Sequence, residues 1–417
     1  MNRKSSIPGC SLFSTVLLTT LVAVWTPAAP AGGQCEYEVT ILPNVPCFGA
    51  DAVPRPWAIN DNGEVAGSFD LCASSSEGAF YWSQETGLII LNMPEGTTDS
   101  EVNDINNNGQ IVGEYSNTNC EQGFMGFLVD GDEFTCLGTL RGGTNSVAHA
   151  INDNGVITGW WGNTVTGPSP LAFVWEDGAM MDLSVPIGGL RNEGFDIVEA
   201  SSISGWRQET SEEPTSILFS NGKLTEIDND PGEVPTKAFA VNDSNQAAGI
   251  RVVFSQDTKS LVTRATRWSD GMTQELQILD GHFESWARDI NNQGVVVGES
   301  EGDADIQAAK WLQDTIVDLN EAIITEEPMV LGRAYSINNH GQITATGAML
   351  PPQDGIAVVL TPVNMPEADL TGDCQVDVED LLVLLQAWET QNSIADINGD
   401  LIVNVSDLLA LLSDWTS

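Results

Sequence analysis

VAHAINDNGVITGWWGNTVTGPSPLAFVWEDGAMMDL, residues 147–183, decides how the chain folds. It reads as a strand, an Asp-Asn-Gly turn, a second strand, a longer loop, an aromatic strand, an Asp-Gly turn and a closing strand. Four short strands and no helix make the unit of a β-propeller blade.

Copies of the unit can be counted from the Asn that opens the first turn: Asn60, Asn106, Asn152, Asn242, Asn291 and Asn338. The first two steps are 46 residues, a third of 46 lands on Val198, and the rest are 44, 49 and 47. Ile197, Ile203 and Gly205 keep the places of Ile151, Ile157 and Gly159, so a degenerate copy fills the gap. Periods of this length suit kelch- and WD-type blades. Gly67, Gly113, Gly159, Gly205, Gly249 and Gly298 stand seven residues past each reference position, with Ala345 in the last copy. A small residue there implies a bulge or the close approach of a neighbouring blade. Trp82, Trp175, Trp268 and Trp311 fill the aromatic slot of the third strand, with Val129, Phe219 and Val359 in the other copies, and suit packing between sheets.

The seventh copy ends at GIAVVLTP without a fourth strand, and one unpaired strand, Tyr37–Leu42, waits near the N-terminus. Joining the two closes the ring and removes exposed edges. The expected fold is thus all-β, a seven-bladed β-propeller over residues 35–362 closed by an N-terminal strand, followed by a linker at 363–368 and a small all-α, EF-hand-like module at 369–417.

Arg3 and Lys4, the apolar Ser11–Trp25 and the small residues Ala29-Pro30-Ala31 form an export signal over residues 1–31, and no later stretch is long enough to span a bilayer. The expected location is outside the cell, secreted or at its surface. Six cysteines follow the signal: Cys35, Cys47, Cys72, Cys120, Cys136 and Cys374. Six thiols allow 15 complete pairings. Cys120 with Cys136, in one blade, and Cys35 with Cys47, flanking the first strand, are the local candidates. The 59 acidic against 15 basic residues give a net charge of −44, which excludes nucleic acid as a partner and disfavours an anionic membrane.

After the linker the sequence changes to two copies of another unit, ADLTGDCQVDVEDLLVLLQAW and ADINGDLIVNVSDLLALLSDW, 27 residues apart. Asp369, Thr371, Asp373, Asp377 and Asp380, and then Asp396, Asn398, Asp400, Asn404 and Asp407, stand at positions one, three, five, nine and twelve of EF-hand-like loops, with the carbonyls of Gln375 and Ile402 at seven. Calcium, a hard cation that takes many oxygen ligands, is the cofactor this spacing implies. Asp replaces the usual Glu at twelve, and Cys374 and Leu401 replace the usual Gly at six. Leu381, Leu382, Leu384, Leu385 and Trp388 are matched by Leu408, Leu409, Leu411, Leu412 and Trp415, two apolar helix faces that can bury each other.

Two resemblances follow. LGTLRGG with HAINDNGVITGW and AFVW resembles the bacterial extracellular HAF repeat family over about Pro56–Pro362, which implies export and a propeller-like repeat but no reaction. The duplicated loop and Leu-rich helix resemble type I dockerin, which implies docking on a cohesin-like protein through calcium-ordered helices. Cellulosomal dockerins carry Ser or Thr just after position nine. The pairs here, Val378-Glu379 and Val405-Ser406, point instead to another cohesin class or to a surface used within the molecule.

The sequence singles out no catalytic residue. His149, His282 and His340 form no HExxH, there is no GxSxG, and WSDGMT at 268–273 is only part of a sialidase Asp-box and sits in an ordinary hairpin turn. Trp160-Trp161 and Trp206 follow second strands and offer aromatic platforms to a carbohydrate or cell-surface ligand. The reading is a noncatalytic binding or surface-structural propeller, and its alternative is a carbohydrate-active glycosidase or lyase. A cluster of carboxylates in unlike environments at one mouth of the ring would favour the enzyme.

Overall fold

The computed structural model describes residues 35–415 except 47–50, 72–76, 119–122, 141, 164–169, 200, 210–213, 228–235, 314, 351–354, 364, 391 and 393–394. The signal segment, Cys47, Cys72 and Cys120 lie outside the described residues.

Six four-stranded antiparallel sheets follow one another, each with its strands in chain order. Their first strands are Pro54–Ile59, Thr97–Ile105, Asn145–Ile151, Arg191–Ile197, Thr236–Val241 and Glu284–Ile290, blades 1 to 6. Blade 7 runs from Met329–Ile337 through Ile343–Met349 to Gly355–Val363 and takes its fourth strand from the N-terminus. Glu36–Ile41 pairs antiparallel there, Glu36 opposite Val363 and Ile41 opposite Val358, as expected. Ile323–Ile324 adds a short parallel strand outside it. Each first strand touches the next, and that of blade 7 touches that of blade 1, so the seven sheets close around an axis lined by first strands.

The conserved spacing of small residues has its cause inside each blade. The first strand slips register against the second between Ala148 and Ala150, and likewise at 102/104, 194/196, 238/240 and 287/289. Opposite each bulge stands the small residue. A Cβ on Gly159 would lie 2.0 Å from the Val147 carbonyl oxygen, and one on Gly298 only 1.8 Å from that of Trp286. Of the two expected reasons, the bulge holds and contact with a neighbouring blade does not. Blade 7 slips a second time, between Leu331 and Arg333, and there Gly347 rather than Ala345 meets the first-strand carbonyl, that of Val330 at 2.1 Å.

The tryptophans of the third strands are buried between sheets, and Trp311 Nε1 donates to the Gln277 carbonyl in the connection from blade 5. One slot assignment needs correction. Ile343 pairs with Leu360 as Ile157 pairs with Trp175, so the slot of blade 7 holds Leu360, not Val359. Without its own fourth strand this copy has no second hairpin turn to fix the alignment, and a slip of one residue exchanges faces.

Neither local disulfide forms. Cys35 is bonded to Cys374, 339 residues away with Cα atoms 5.2 Å apart, and Cys136 is a free, exposed thiol. The start of the closing strand lies against the first C-terminal loop, so the nearest partner in space is far along the chain.

The helices Val378–Gln386 and Val405–Ser413 pack over Leu370, Val376, Leu384, Val403 and Leu411. Their expected mutual burial is partial: Leu382, Leu385, Leu409 and Leu412 remain exposed. The module rests on the propeller through Gln293 Nε2 to the Asp369 carbonyl (3.2 Å) and Gln313 Nε2 to Glu379 Oε2 (2.7 Å), so Glu379 is used within the molecule. Among the described residues no helix is long and apolar enough to cross a membrane.

Gly159→Ala should destabilise the propeller by at least about 2–3 kcal/mol, because the new methyl must displace a bonded strand. Ala345→Gly, where space already exists, should cost under about 1 kcal/mol. Urea denaturation of the two variants checks the ordering, and equal losses would contradict the bulge as the reason for the glycine.

Candidate functional site

The axis has two chemically distinct ends. At the turn end, each reference Asn does more than open a hairpin. Asn60 Oδ1 accepts from the amides of Asn62 and Glu64, while its Nδ2 reaches the Asn106 carbonyl in the next blade. Equivalent bonds run from Asn106, Asn152, Asn242 and Asn291, and Asn338 returns to Asn60, all at 2.8–3.1 Å. Val198 can supply only its carbonyl to this collar. A second ring lies outside it: the amides of Asp61, Asn107, Asp153, Asp243, Asn292 and Asn339 each donate to the side chain one blade on. Together they line a cavity of about 350 Å³.

Beneath the collar the bulges aim three aspartates at the axis. Asp104 accepts from the amides of Ile105 and Ile151, Asp196 from Ile197 and Val241, and Asp289 from Ile290, Ile337 and the Ser336 hydroxyl. First-strand amides on the inner edge have no further strand to bond, and one carboxylate for every second blade serves them. Burial, reinforced by the charges of the other axial aspartates, raises Asp104 to about 7 and Asp196 to about 8, and burial raises Asp289.

The opposite mouth gathers titratable and aromatic side chains from several blades. Trp57, Asn103, His149, Phe195, Phe239, Arg288 and Tyr335 are the equivalent bulge residues of the seven first strands. Trp57 meets Tyr335 edge-on at 4.8 Å, and His149, Phe195 and Phe239 follow one another at 5.5 Å. His149 Nε2 is 2.7 Å from Glu193 Oε1, and Trp206 Nε1 donates to Glu193 Oε2 at 2.9 Å. Burial opposes ionisation of both, yet the bond and field between them win: His149 is held above its ordinary value and Glu193 below. Glu101 and Glu114 face each other across the strand pair of blade 2. Burial, then repulsion from Glu114, Glu77 and Asp99, pushes Glu101 up to about 7. Burial also raises Glu114, against the pull of His149 and the Asn103 amide.

Sequence alone passed over this mouth, because its members come from different blades and only the bulge brings them together. His149 belongs to no local motif, and only Trp206 of the proposed platforms joins the cluster. Trp161 is buried, and Trp160 packs edge-on against Phe124 at 5.7 Å. His282 is bound to Ser300 and Asp305 away from it, and Asp270-Gly271 forms the expected two-residue turn.

In the C-terminal module, Asp396, Asp400 and Asp407 bring ligand atoms within 4.8 Å of one another, a group able to hold a divalent metal. Asp396 Oδ1 and Oδ2 accept from the amides of Asp400 and Leu401, and Asp407 from Asn398 and Asn404. Asn404 Oδ1 caps the helix at Ser406, and its Nδ2 lies 2.7 Å from the Ile402 carbonyl. In the first loop Asp369 accepts from Gly372, Asp373 and Cys374, and Asp380 from Leu370, Thr371 and Asp377, with the amide of Gln375 on Asp373. Burial foremost, with repulsion from Asp373 and Asp380, raises Asp369 to about 6. Asp377 and Asn404 also open capping boxes with Asp380 and Asp407, so the acids serve the helices as well. Cys374 and Leu401 make the turn at position six despite their side chains, with φ of 65° and 71°.

No family model and no curated protein matches the chain. Among solved structures it is similar to the β-propeller domain of the Trilobed protease from Pyrococcus furiosus (9% identity, TM-score 0.48, 75% of this chain and 94% of that one). It is also similar to oligogalacturonate lyase from Vibrio parahaemolyticus (10%, 0.49, 78% and 93%) and to TolB from Acinetobacter baumannii (10%, 0.39, 72% and 80%). These likenesses concern the fold alone.

The axial aspartates make stability depend on pH. Folded values above the ordinary 3.8 mean that the folded state binds the extra protons, so this contribution is full below about 4 and is lost as pH rises through about 7 to 8. The urea midpoint should therefore fall between pH 5 and about 8.5. Asp196→Ala should flatten that slope and lower stability at pH 5 by about 1–3 kcal/mol, since two inner amides lose their acceptor. An unchanged slope in the variant would show that surface repulsion, not the axis, sets the dependence.

Proposed function

We propose that the protein is an exported carbohydrate-active propeller that cleaves glycosidic bonds at the mouth formed by His149, Glu193, Glu101 and Glu114, and that the calcium-ordered C-terminal module attaches it to a cohesin-like partner. The observation that carries the reading is the split of proton affinities within one mouth. Glu193 is held below its ordinary value and holds His149 above its own, while burial and the charges of Glu114, Glu77 and Asp99 outweigh the pull of Arg55 and push Glu101 up to about 7. Around neutral pH such a site offers one group that gives a proton and one that takes it.

The His149 imidazolium gives its proton to the departing glycosidic oxygen. The Glu101 carboxylate takes one from the attacking water in a hydrolysis, or from the ring carbon in an elimination that leaves a double bond. Glu193 orients His149, and Trp206, buried behind it, donates its indole N–H to the other oxygen of that carboxylate. Glu114, opposite Glu101 across the strand pair, raises it by repulsion. The noncatalytic reading of the propeller yields here because unlike carboxylates beside a histidine are more than a binding surface requires.

Attachment follows from the second loop. Calcium held by Asp396, Asp400 and Asp407, with Asn398, Asn404 and the Ile402 carbonyl near by, would fix the start of the helix Val405–Ser413 and its exposed Leu409 and Leu412. Divalent binding to the folded state alone stabilises it by mass action.

On a panel of soluble polysaccharides, the mature chain should release new chain ends at a rate that rises as pH passes about 7, where Glu101 ionises. Glu101→Gln should lower that rate by about 10²–10⁴-fold and remove this limb of the profile. Ultraviolet absorbance of an unsaturated product separates elimination from hydrolysis. Binding of a glycan with no new ends, unchanged in the variant, would return the propeller to a noncatalytic binding role.

Calcium titration of the mature chain should show heat and a rise in Tm, both lost in Asp407→Ala. Equal Tm with calcium and with chelator in the wild type would remove the metal from the attachment mechanism.

A further inference from the structure

Positive charge is scarce in this chain, 15 Lys and Arg against 59 acids, so its placement carries information. Lys237 and Arg333 occupy one equivalent place in the first strands of blades 5 and 7, five residues before their reference Asn. Arg288 occupies the bulge of blade 6 between them. All three stand on the inner strands at the mouth that holds His149. Arg288 and Arg333 share one carboxylate, Glu299, which Arg288 grips with two bonds of 2.6 Å and which Arg333 approaches at 3.6 Å. Among the described residues Lys237 has no ion pair or hydrogen bond. Its ammonium lies 5.9 Å from the ring centres of both Phe195 and Trp206.

The other side of the mouth is different. Arg55 is taken up by Asp70 and Glu77, each at 2.6 Å, and the facing pair Glu101 and Glu114 feels only the fields of Arg55 and His149. The mouth is therefore polar across its width, positive over blades 5 to 7 and carboxylate-rich over blades 1 and 2. Lys237 acts on Glu193 only through its field, and among the described residues Lys237, Arg288, Arg333 and His149 face just two carboxylates, Glu193 and Glu299. An ammonium set among aromatic rings is therefore suited to receive a further anion, because the rings displace water from it and strengthen the pairing. The half-buried rings of Phe195, Phe239 and Tyr335 suit the apolar face of a pyranose rather than a bare inorganic ion.

We infer that the saccharide bound at this mouth is acidic, and that Lys237, with Arg333 and Arg288 beside it, receives a sugar carboxylate while the adjoining linkage lies towards His149 and Glu101. The inference rests on the proposed saccharide site and adds the charge class of its ligand. The net charge of −44 repels anions at long range. At physiological salt that field decays within about 8 Å, so the three local cations decide what settles at the mouth. Lys237 is a specificity residue on this reading, and its ammonium acts on the substrate directly.

The test compares a hexuronic-acid oligosaccharide with the same oligosaccharide after its carboxyl groups are reduced to alcohols, by calorimetric titration of the mature wild-type protein. The acidic form should bind at least about tenfold tighter, and the preference should shrink as salt rises from about 0.05 to about 0.5 M. Lys237→Met should remove most of the preference and Lys237→Arg should keep it. Equal or tighter binding of the reduced form overturns the acidic ligand while leaving a saccharide site standing. Failure to bind or cleave any saccharide, acidic or neutral, overturns both. The wild-type comparison decides the matter even if Lys237→Met does not fold.

Discussion

A carbonyl oxygen stands where a methyl group would otherwise be. In six of seven blades the first strand bulges into the space that a Cβ on the second strand would fill, and glycine is the residue that leaves it open. The bulge turns adjacent side chains of each first strand towards the axis, where a regular strand would alternate them. From this follow the axial aspartates, which satisfy amides on the inner edge, and the mouth residues one position earlier, which meet their counterparts in neighbouring blades. A single steric condition thus generates both the packing at the axis and the site.

Blade number, closure by the N-terminal strand and the two loop-helix units were legible because each is written as a repeat with local turn chemistry. The degenerate blade was legible through Ile197, Ile203 and Gly205, which keep the steric requirements even where Val198 replaces the collar Asn. What could not be read was anything that depends on neighbours in the ring. The Asn of each copy looks like a turn residue in one dimension, yet its amide nitrogen links blades. His149 looked like an isolated polar residue in a strand, because its partner Glu193 is 44 residues away in the next blade. A signal was available: the alternation of Asp104, Asp196 and Asp289 with Ala58, Ala150 and Ala240 at the same repeat position, which surface acids would have no reason to show.

Charge sorts the same way. A composition this acidic says nothing of placement, and several carboxylates are drawn into the ring and bonded to backbone amides. Buried beside each other, they shift towards neutrality, whereas Glu193, which has a histidine, an indole and the field of Lys237, shifts the other way. Composition fixes how many acids there are. Their individual proton affinities are set by which blade faces which.

The disulfide explains why the two C-terminal loops, alike in sequence, differ in circumstance. Cys374 occupies the turn position of the first loop and is tied to Cys35, immediately before the strand that closes the ring. That loop also presses Gly372 against Val295, close enough that an added Cβ would lie 2.8 Å from its methyl. Its order is therefore imposed by the propeller through a covalent bond and direct packing, and Glu379 after it is engaged by Gln313. The second loop has none of these supports: Leu401 at its turn position and Ile402 beside it are exposed, and its three carboxylates converge without help from the ring. A conformation held by neighbours needs little from a cation, whereas one built from mutually repelling carboxylates gains most from it. A divalent metal held by Asp396, Asp400 and Asp407 would therefore do more to order the second loop than one in the first.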